Sequence, residues 1–250
     1  MSARRLFVPP DRLRATPIIV DGDEHHHLAR VLRARPGDAI TLFDGAGVEV
    51  IARIVRIDRD RTQLVADPAG PAGPARAAAA IETPLTLLTA VPRGGRMDFL
   101  VQKCSELGVS RIVPVITARS VVRPEPAKRG RWEKIAREAA RQCGRADVPE
   151  VSPPTALAAA LAASDLPDRR LMLSPEAGGR PLRALLPDRA ATALLVGPEG
   201  GLDTAEVEAA RAAGFQAASL GSRILRVETA AIVAVALAEE AFGALSPTEG

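Results

Sequence analysis

The residues of this chain best suited to bind a ligand lie in two glycine-containing segments near its C-terminal end. Residues 197–201 read GPEGG and residues 221–223 read GSR. Each segment follows a short apolar run, at 194–196 and 217–220, and precedes a helical pattern. Open α/β sheets bind ligands at loops that follow the carboxyl ends of their strands. The two segments therefore predict one ligand that is held mainly by backbone N–H and C=O groups.

A third segment, residues 173–179 (LSPEAGG), repeats the pattern of an apolar strand followed by Pro-Glu and glycine. The GPEGG segment is not followed by Gly-Lys-Ser/Thr, which argues against a P-loop nucleotidase, and no GxGxxG opens an early strand–helix unit. The second observation disfavours a nicotinamide-dependent enzyme or a Rossmann-fold methyltransferase. Alone, GPEGG is also compatible with a tight turn and a helix start, but three such loops together favour a binding site.

Two arginines lie directly beside the last of these loops. Arg223 and Arg226 flank Ile224-Leu225 just before the final helical pattern, close to Glu228. They could form an exposed ion pair with Glu228, which contributes little to stability. Alternatively, one of them faces an anionic or polarised substrate.

A second arginine-containing turn, residues 93–98 (RGGRMD), follows a predicted strand and opens a predicted helix. A phosphate could bind at this helix N-terminus, with Arg93 and Arg96 adding positive charge. A polar turn in which Asp98 complements the helix dipole explains the residues equally well. Basic residues are also frequent between 129 and 145, where a solvated helix face is at least as well supported as an RNA-binding face.

The three adjacent histidines at residues 25–27 do not predict a metal site. Neighbouring side chains on a helix start fan apart, and no cysteine or further histidine completes a ligand set. A helix-terminus or RNA-facing role is the better interpretation. Cys104 and Cys143 lack metal-type spacing and are expected to be reduced thiols of a cytoplasmic protein.

Composition narrows the function classes. No apolar run approaches the roughly 18 residues of a membrane span, and the N-terminal residues lack a signal-peptide core, so we expect no membrane partner. The net charge is only +3, and nearly all positive residues are arginine, which suits phosphate binding but is explained equally well by a GC-rich coding bias. Tyrosine is absent and aromatic residues make up 2%, so an RNA contact cannot depend on an aromatic platform.

The pattern along the chain predicts two domains. Residues 1–68 read as short strands with tight turns, which favours a small β-barrel. The strands expected at 39–43 and 48–57 are joined through Asp44-Gly45-Ala46-Gly47, which predicts a hairpin. Residues 69–82 are dominated by Pro, Gly and Ala and read as a linker. In residues 83–250 strands and helices alternate, which predicts an α/β domain with a mostly parallel sheet covered by helices. One helix is expected at 155–163, and another is expected to begin at Asp203 with Glu206 completing a capping box.

Five segments together resemble one known family. They are RGGRMDFLVQKCSELGV (93–109), EAARQCGR (138–145), LLVGPEGGLDTAEVEAA (194–210), LGSRILRVETAAIVA (220–234) and HHHLARVLRARPGDAITLFDG (25–45). The chain resembles the RsmE family, SPOUT-class methyltransferases that act on uracil N3 in 16S rRNA. The resemblance covers nearly the whole chain in the right order.

The resemblance implies a fold and partners that the composition does not show. The C-terminal α/β domain would be a SPOUT-type parallel sheet with a deep trefoil knot, an exception to the rule against knots. A small PUA-like β-barrel domain would precede it and help to hold RNA. The cofactor would be S-adenosylmethionine, and the partner would be 16S rRNA within the small ribosomal subunit. The family is dimeric through the knot, so a homodimer is expected.

The same resemblance implies the site residues. Cofactor binding would involve the three strand-end loops, at Leu173, Ser174, Pro175, Glu176, Val196, Gly197, Pro198, Glu199, Gly200, Gly201, Leu220, Gly221, Ser222, Ile224 and Leu225. RNA binding is expected at Arg4, Arg5, His26, His27, Arg30, Arg33, Arg93 and Arg96. Two positions depart from the usual family pattern: Ser222 replaces a common proline, and Val227 replaces a common threonine. The first loosens a loop, and the second argues against an essential hydroxyl at that position.

Uracil N3 is a poor nucleophile until it loses its proton, so the expected chemistry requires stabilisation of an anion. Preorganised positive charge does this, and we expect Arg226 or Arg223 to supply it. Glu199 is the carboxylate best placed in the sequence to position the substrate or to accept a proton. Two alternatives remain: a SPOUT methyltransferase acting on tRNA or on a ribose 2′-OH, and a non-catalytic RNA-binding assembly factor.

Overall fold

The structure, a computed structural model, describes five stretches of the chain: residues 4–67, 76–77, 83–125, 127–174 and 179–245. It divides into two compact units. Unit 1 contains Met1–Ala80 and Ala140–Val148, and unit 2 contains Ile81–Ala139 and Pro149–Gly250. Apart from residues 76–77, the predicted linker at 69–82 lies outside the described residues.

Unit 1 is built on a mixed sheet. Its strands among the described residues are β1 (Arg5–Phe7), β2 (Ile18–Asp21), β3 (Ala39–Phe43), β4 (Val48–Ile57), β5 (Arg61–Ala66) and β6 (Arg76–Ala77). The order is β1-β3-β4-β5-β2, with β6 beside β4. Strand β1 is parallel to β3, and the other pairs are antiparallel. Two short helices, α1 (Pro10–Leu13) and α2 (Gly22–His26), accompany the sheet, and a π-helical turn at His27–Val31 continues α2.

The hairpin predicted between β3 and β4 is confirmed, and its turn chemistry explains it. The carboxylate of Asp44 accepts hydrogen bonds from the backbone N–H groups of Ala46 (2.7 Å) and Val48 (2.9 Å). Gly45 and Gly47 have φ of 76° and 100°, a region that favours glycine. The inward-facing residues of the paired strands then form the core of unit 1.

Residues 140–148 complete this unit, which the sequence pattern does not reveal. The backbone N–H of Val148 donates to the carbonyl of Gly45 at 2.9 Å. The ring of Phe43 packs with Ala140 and Ala146 in a small buried cluster. The chain therefore returns to unit 1 after the middle of the sequence.

Unit 2 contains a parallel sheet of eight strands among the described residues. They are β7 (Leu85–Ala90), β8 (Arg111–Ile116), β9 (Glu150–Val151), β10 (Thr155–Ala156), β11 (Arg169–Leu173), β12 (Arg180–Pro181), β13 (Thr192–Val196) and β14 (Gln216–Ser219). The order is β10-β8-β7-β13-β11-β14-β12, and β9 pairs with β8. All residues of β7 and β13 are buried, as expected of central parallel strands.

The helices of unit 2 follow the predicted alternation. They are α3 (Arg96–Leu107), α4 (Lys128–Cys143, whose last turn is assigned to unit 1), α5 (Leu157–Leu161), α6 (Thr204–Ala212) and α7 (Val227–Ala241), with a 3-10 turn at Leu182–Leu185. Helix α7 packs on β7, β13 and α3. The helix predicted from Thr155 begins later, because residues 155–156 pair with β8. None of the described helices has the length and apolar character needed to cross a membrane.

The sheet order brings the three predicted loops together. Strands β13, β11 and β14 are neighbours and run in the same direction, so the loops after residues 173, 196 and 219 leave one edge of the sheet side by side. Strand order also changes direction between β7 and β13, since the chain first builds outward from β7 through β8. Such a switch point is where α/β sheets bind ligands.

Candidate active site

The loop after β13 is a tight turn with little free space. The backbone N–H of Gly201 donates to the carbonyl of Pro198 at 2.8 Å. Gly201 has φ of 71°, and a Cβ added to Gly197 would lie 3.1 Å from Cγ of Leu202. Glycine at these two positions therefore allows the loop to close and to bring its backbone to the sheet edge.

Helix α6 starts from this loop with the predicted capping box. The side chain of Asp203 accepts from the backbone N–H of Glu206 at 2.8 Å, and Glu206 Oε2 accepts from the backbone N–H of Asp203 at 3.0 Å. The other carboxylate oxygen of Glu206 accepts from the backbone N–H of Ala118 at 2.7 Å. The cap thus fixes the end of the GPEGG loop and connects it to the loop after β8.

The loop after β14 is more exposed. Gly221 has φ of 108°, and its N–H donates to Ser219 Oγ at 3.1 Å. Ser222, Arg223 and Arg226 are exposed, Leu220 and Leu225 are half-buried, and Ile224 is 90% exposed. Arg226 is the N-cap residue of α7, and its carbonyl accepts from Ala230 at 2.8 Å. Val227, where the family pattern has threonine, is buried.

Only part of the loop after β11 lies within the described residues. Leu173 and Ser174 are half-buried, and the N–H of Ser174 donates to the carbonyl of Ala218 at 3.2 Å. A Cβ added to Gly179 would lie 2.9 Å from the carbonyl carbon of Ala218, so a side chain cannot fit there without movement. Pro175 and Glu176, two of the predicted cofactor residues, lie outside the described residues.

The turn between β7 and α3 contacts the GPEGG loop. Gly94 and Gly95 both have positive φ, 67° and 73°, and they direct the chain into α3. The backbone N–H of Arg93 donates to Glu199 Oε1 at 3.1 Å, while the Arg93 side chain is exposed. This hydrogen bond was not foreseen, and it assigns Glu199 at least a loop-joining role.

A buried carboxylate lies at the start of α7. Glu228 is 8% exposed, and its Oε1 forms an ion pair with Arg96 of α3 at 3.3 Å. Within the described part of the chain, Oε2 of Glu228 is buried and has no hydrogen-bond partner. Burial of an unpaired acceptor costs free energy, so this atom needs an explanation.

Arg119, in the loop after β8, was missed by the sequence interpretation. Its guanidinium donates to the carbonyl of Gly200 at 2.8 Å and thereby supports the GPEGG loop. A single arginine in a polar loop carries no pattern that predicts such a contact. With the contacts of Arg93 and Glu206, it joins the loops after β7, β8 and β13 into one framework.

Asp98 and Cys104 of α3 do not contribute reactive groups. The carboxylate of Asp98 accepts from Arg131 at 2.6 and 2.8 Å, so it pairs with α4 rather than only with its own helix end. Burial raises the pKa of the Cys104 thiol to about 12, which keeps it protonated. Cys104 is therefore not a nucleophile of this site.

Two candidate RNA-binding arginines of unit 1, Arg4 and Arg5, differ in their burial and in their contacts within the chain. Arg4 is exposed and donates a hydrogen bond to the carboxylate of Asp38. The pKa of the Asp38 carboxyl is lowered mainly by a hydrogen bond from the backbone N–H of Arg35 and to a smaller extent by the hydrogen bond from Arg4. Arg5 is largely buried: it pairs with Glu49, donates to the carbonyl of Arg145 at 2.8 Å, and lies over the Phe43 ring. These contacts favour a structural role for Arg5.

The three adjacent histidines differ in burial. His25 is buried, and its ring nitrogens lie 2.9 Å from Thr62 Oγ1 and 3.3 Å from the carbonyl of Arg59. His26 is exposed and His27 is half-buried. Arg30 and Arg33 are exposed on the turn that follows. Across the described residues, no group of three or more His, Cys, Asp and Glu is arranged to hold a metal ion.

Comparison with known families agrees with both units. The sequence profile of the RNA methyltransferase domain matches residues 80–239, and that of the RNA methyltransferase PUA domain matches residues 20–66. The fold and site therefore define an α/β RNA methyltransferase with a PUA-like domain.

Individual relatives identify the family more closely. A protein of Synechocystis sp. named ribosomal RNA small subunit methyltransferase E is 32% identical over 240 residues, which are 94% of this chain and 76% of the relative. The Neisseria gonorrhoeae enzyme of that name, solved with S-adenosyl methionine, is 34% identical with a TM-score of 0.77, covering 96% and 98% of the two chains. A Legionella pneumophila methyltransferase solved with SAM is 29% identical with a TM-score of 0.86, covering 97% and 99%. The chain belongs to the RsmE family, the ribosomal RNA small subunit methyltransferases E.

Proposed function

We propose that this protein transfers a methyl group from S-adenosylmethionine to N3 of one uridine in the 16S rRNA of the small ribosomal subunit. The observation that carries the proposal is the meeting of three glycine-containing loops at neighbouring carboxyl ends of β11, β13 and β14. Membership of the RsmE family supports methyl transfer as the reaction at this edge of the sheet. The solved relatives from Legionella pneumophila and Neisseria gonorrhoeae contain S-adenosylmethionine.

The residues present fit the cofactor. Backbone groups of residues 173–174, 196–201 and 220–225 would hold it, because glycine at 197, 201 and 221 permits loop conformations that larger residues would strain. The buried, unpaired oxygen of Glu228 at the same edge also requires a donor. When bound, the cofactor supplies an electrophilic methyl group.

The residues of the chain would then prepare the nucleophile. Uracil N3 must lose its proton, and the resulting anion spreads onto the two neighbouring carbonyl oxygens. Arg226 or Arg223, both exposed beside the third loop, would stabilise this charge. Glu199 would position the base or accept the proton with the oxygen that does not bind the Arg93 N–H.

RNA would bind on both units. In unit 1 the better candidates are the exposed side chains of Arg4, His26, Arg30 and Arg33, and His27 is half-buried. Arg5 instead stabilises unit 1 through its ion pair with Glu49. In unit 2, Arg93 is exposed and Arg96 is ion-paired with Glu228. Arginine at these positions matches phosphate geometry without aromatic stacking. Ribosomal RNA as substrate implies a cytoplasmic location.

A trefoil knot and a homodimer are the finer parts of the proposal. The insertion of β13 between β7 and β11, followed by the return of α7 onto β7 and β13, supports a knotted C-terminal segment. The family resemblance implies a dimer through the knot, and the 90% exposed side chain of Ile224 on the third loop is available for contact with a partner chain.

The test is a methyl-transfer assay with labelled S-adenosylmethionine on small subunits that lack this modification, followed by mass analysis of the nucleosides. N3-methyluridine at one site in 16S rRNA is the expected product. Label in tRNA, or at a ribose 2′-OH, would contradict the target. Cofactor binding without any product would also contradict it, and no cofactor binding would favour a non-catalytic assembly factor.

A further inference from the structure

Glu228 combines three properties, and its contacts within the chain leave one of them, an unpaired oxygen, without a structural role. It is about nine-tenths buried, one oxygen is paired with Arg96 at 3.3 Å, and Oε2 has no hydrogen-bond partner in the described part of the chain. An ionised carboxylate can only accept hydrogen bonds. A ligand that brings an N–H or O–H donor, or a positive charge, would satisfy this atom.

Glu228 follows directly in the chain after one of the loops proposed to hold the cofactor. The residue lies in the first turn of α7, directly after the loop of residues 220–226. Its partner Arg96 lies in the first turn of α3, directly after the turn that contacts Glu199 of the GPEGG loop. The two helices pack against each other, so the ion pair joins the beginnings of both beside the loops.

We infer that Glu228 is a ligand of the cofactor, and that its free oxygen accepts a hydrogen bond from a donor of S-adenosylmethionine. This inference rests on the proposed function. The burial of Glu228 favours a small ligand over RNA, whereas Arg93, Arg223 and Arg226 are exposed and suit RNA. The cofactor carries an ammonium group, hydroxyl groups and a sulfonium charge, and all of them complement a carboxylate.

The test is calorimetric binding of S-adenosylmethionine and of S-adenosylhomocysteine to the full chain and its Glu228→Gln variant. Glutamine has the same shape and keeps an oxygen that can accept from Arg96, but it removes the charge of this ion pair, so the melting temperature should fall slightly. Hydrogen bonds to charged groups are strong, and we expect the affinity to fall by about tenfold or more. Glu240→Gln is the matched control: Glu240 lies on the same helix and pairs with Arg183 at 3.0 Å, but it is exposed.

The outcomes distinguish a failure of the Glu228 contact from a failure of the proposed function. An equal loss for both ligands supports a contact with the shared amine or hydroxyl groups, and a larger loss for S-adenosylmethionine supports a contact with its extra charge. Unchanged binding by Glu228→Gln, as in Glu240→Gln, would overturn the inference. If the wild-type protein binds neither ligand, the proposed function fails first. Should glutamine impair folding, Glu228→Asp keeps the charge, and wild-type-like affinity after this shortening would also overturn the inference.

Discussion

Arginines around the strand-end loops are of two kinds, which differ in their contacts within the chain. Arg96 is held by the buried Glu228, and Arg119 is held by the carbonyl of Gly200, so both support the framework. Arg223 and Arg226 are exposed and, in the structure as described, no contact of their side chains within the chain defines a structural role. They remain available for a substrate that develops negative charge.

Arg226→Ala should lower the rate of methyl transfer on the order of 100-fold, because a preorganised charge on the developing anion would be lost. The affinity for the cofactor should stay unchanged, since Arg226 is proposed to face the base. Single-turnover kinetics and calorimetry measure the two quantities. Arg211→Ala, an exposed arginine on α6, is the control. Full turnover by Arg226→Ala would exclude this role.

The two thiols should differ sharply in reactivity. The pKa of Cys104 is raised to about 12 by burial, so its thiolate is scarce at pH 8, whereas Cys143 is exposed. A disulfide reagent at pH 8 should titrate one thiol in the native protein and two after denaturation. Cys143→Ser should abolish the native reaction. Rapid reaction of that variant in its native state would contradict the buried position of Cys104.

At the scale of elements, glycines shape the loops. Gly221→Ala places a side chain at φ of 108°, which strains the backbone by about 1–2 kcal/mol. The strain should displace the loop and weaken cofactor binding by up to about tenfold. Gly130→Ala, in helix α4 with open space around it, should instead leave binding unchanged and stabilise the protein slightly. Equal binding by both variants would show that this loop does not hold the cofactor.

Local sequence patterns predicted most helices and strands, but they did not show which strands pair when these lie far apart in the chain. The turn at residues 44–47 and the capping box at Asp203 follow from adjacent residues, and both are confirmed. Strands of two residues, such as β9 and β12, are too short for a periodic signal. The placement of β13 between β7 and β11 depends on contacts between residues far apart in the chain, so the sequence pattern predicted loops that share a ligand but not the strand order that makes them neighbours.

The candidate site also combines features that a local motif predicts with contacts between residues far apart in the chain. Its glycine-containing loops are visible as motifs, but the contact of the Arg93 N–H with Glu199 joins residues 106 positions apart. The burial of Arg5 by Glu49 and by the carbonyl of Arg145 also depends on a distant segment. The RNA-binding and catalytic assignments stay predictions, because they follow from the family resemblance and not from contacts within the chain.

At the scale of the whole molecule, the proposed homodimer makes a prediction about the third loop. Ile224→Glu would place a charge in an apolar interface, which is costly, and should convert the dimer to a monomer in light scattering after size exclusion. Val55→Glu, at an exposed valine on β4 of unit 1, should leave the mass unchanged. A monomeric wild-type protein, or a dimeric Ile224→Glu variant, would contradict this interface.

Three neighbouring loops are proposed to hold S-adenosylmethionine. Amide hydrogen exchange with and without the cofactor measures this directly, because bound backbone groups exchange more slowly. Protection should appear in residues 173–174, 196–201 and 220–225 together. Protection confined to other segments, or none at saturating cofactor, would contradict the account.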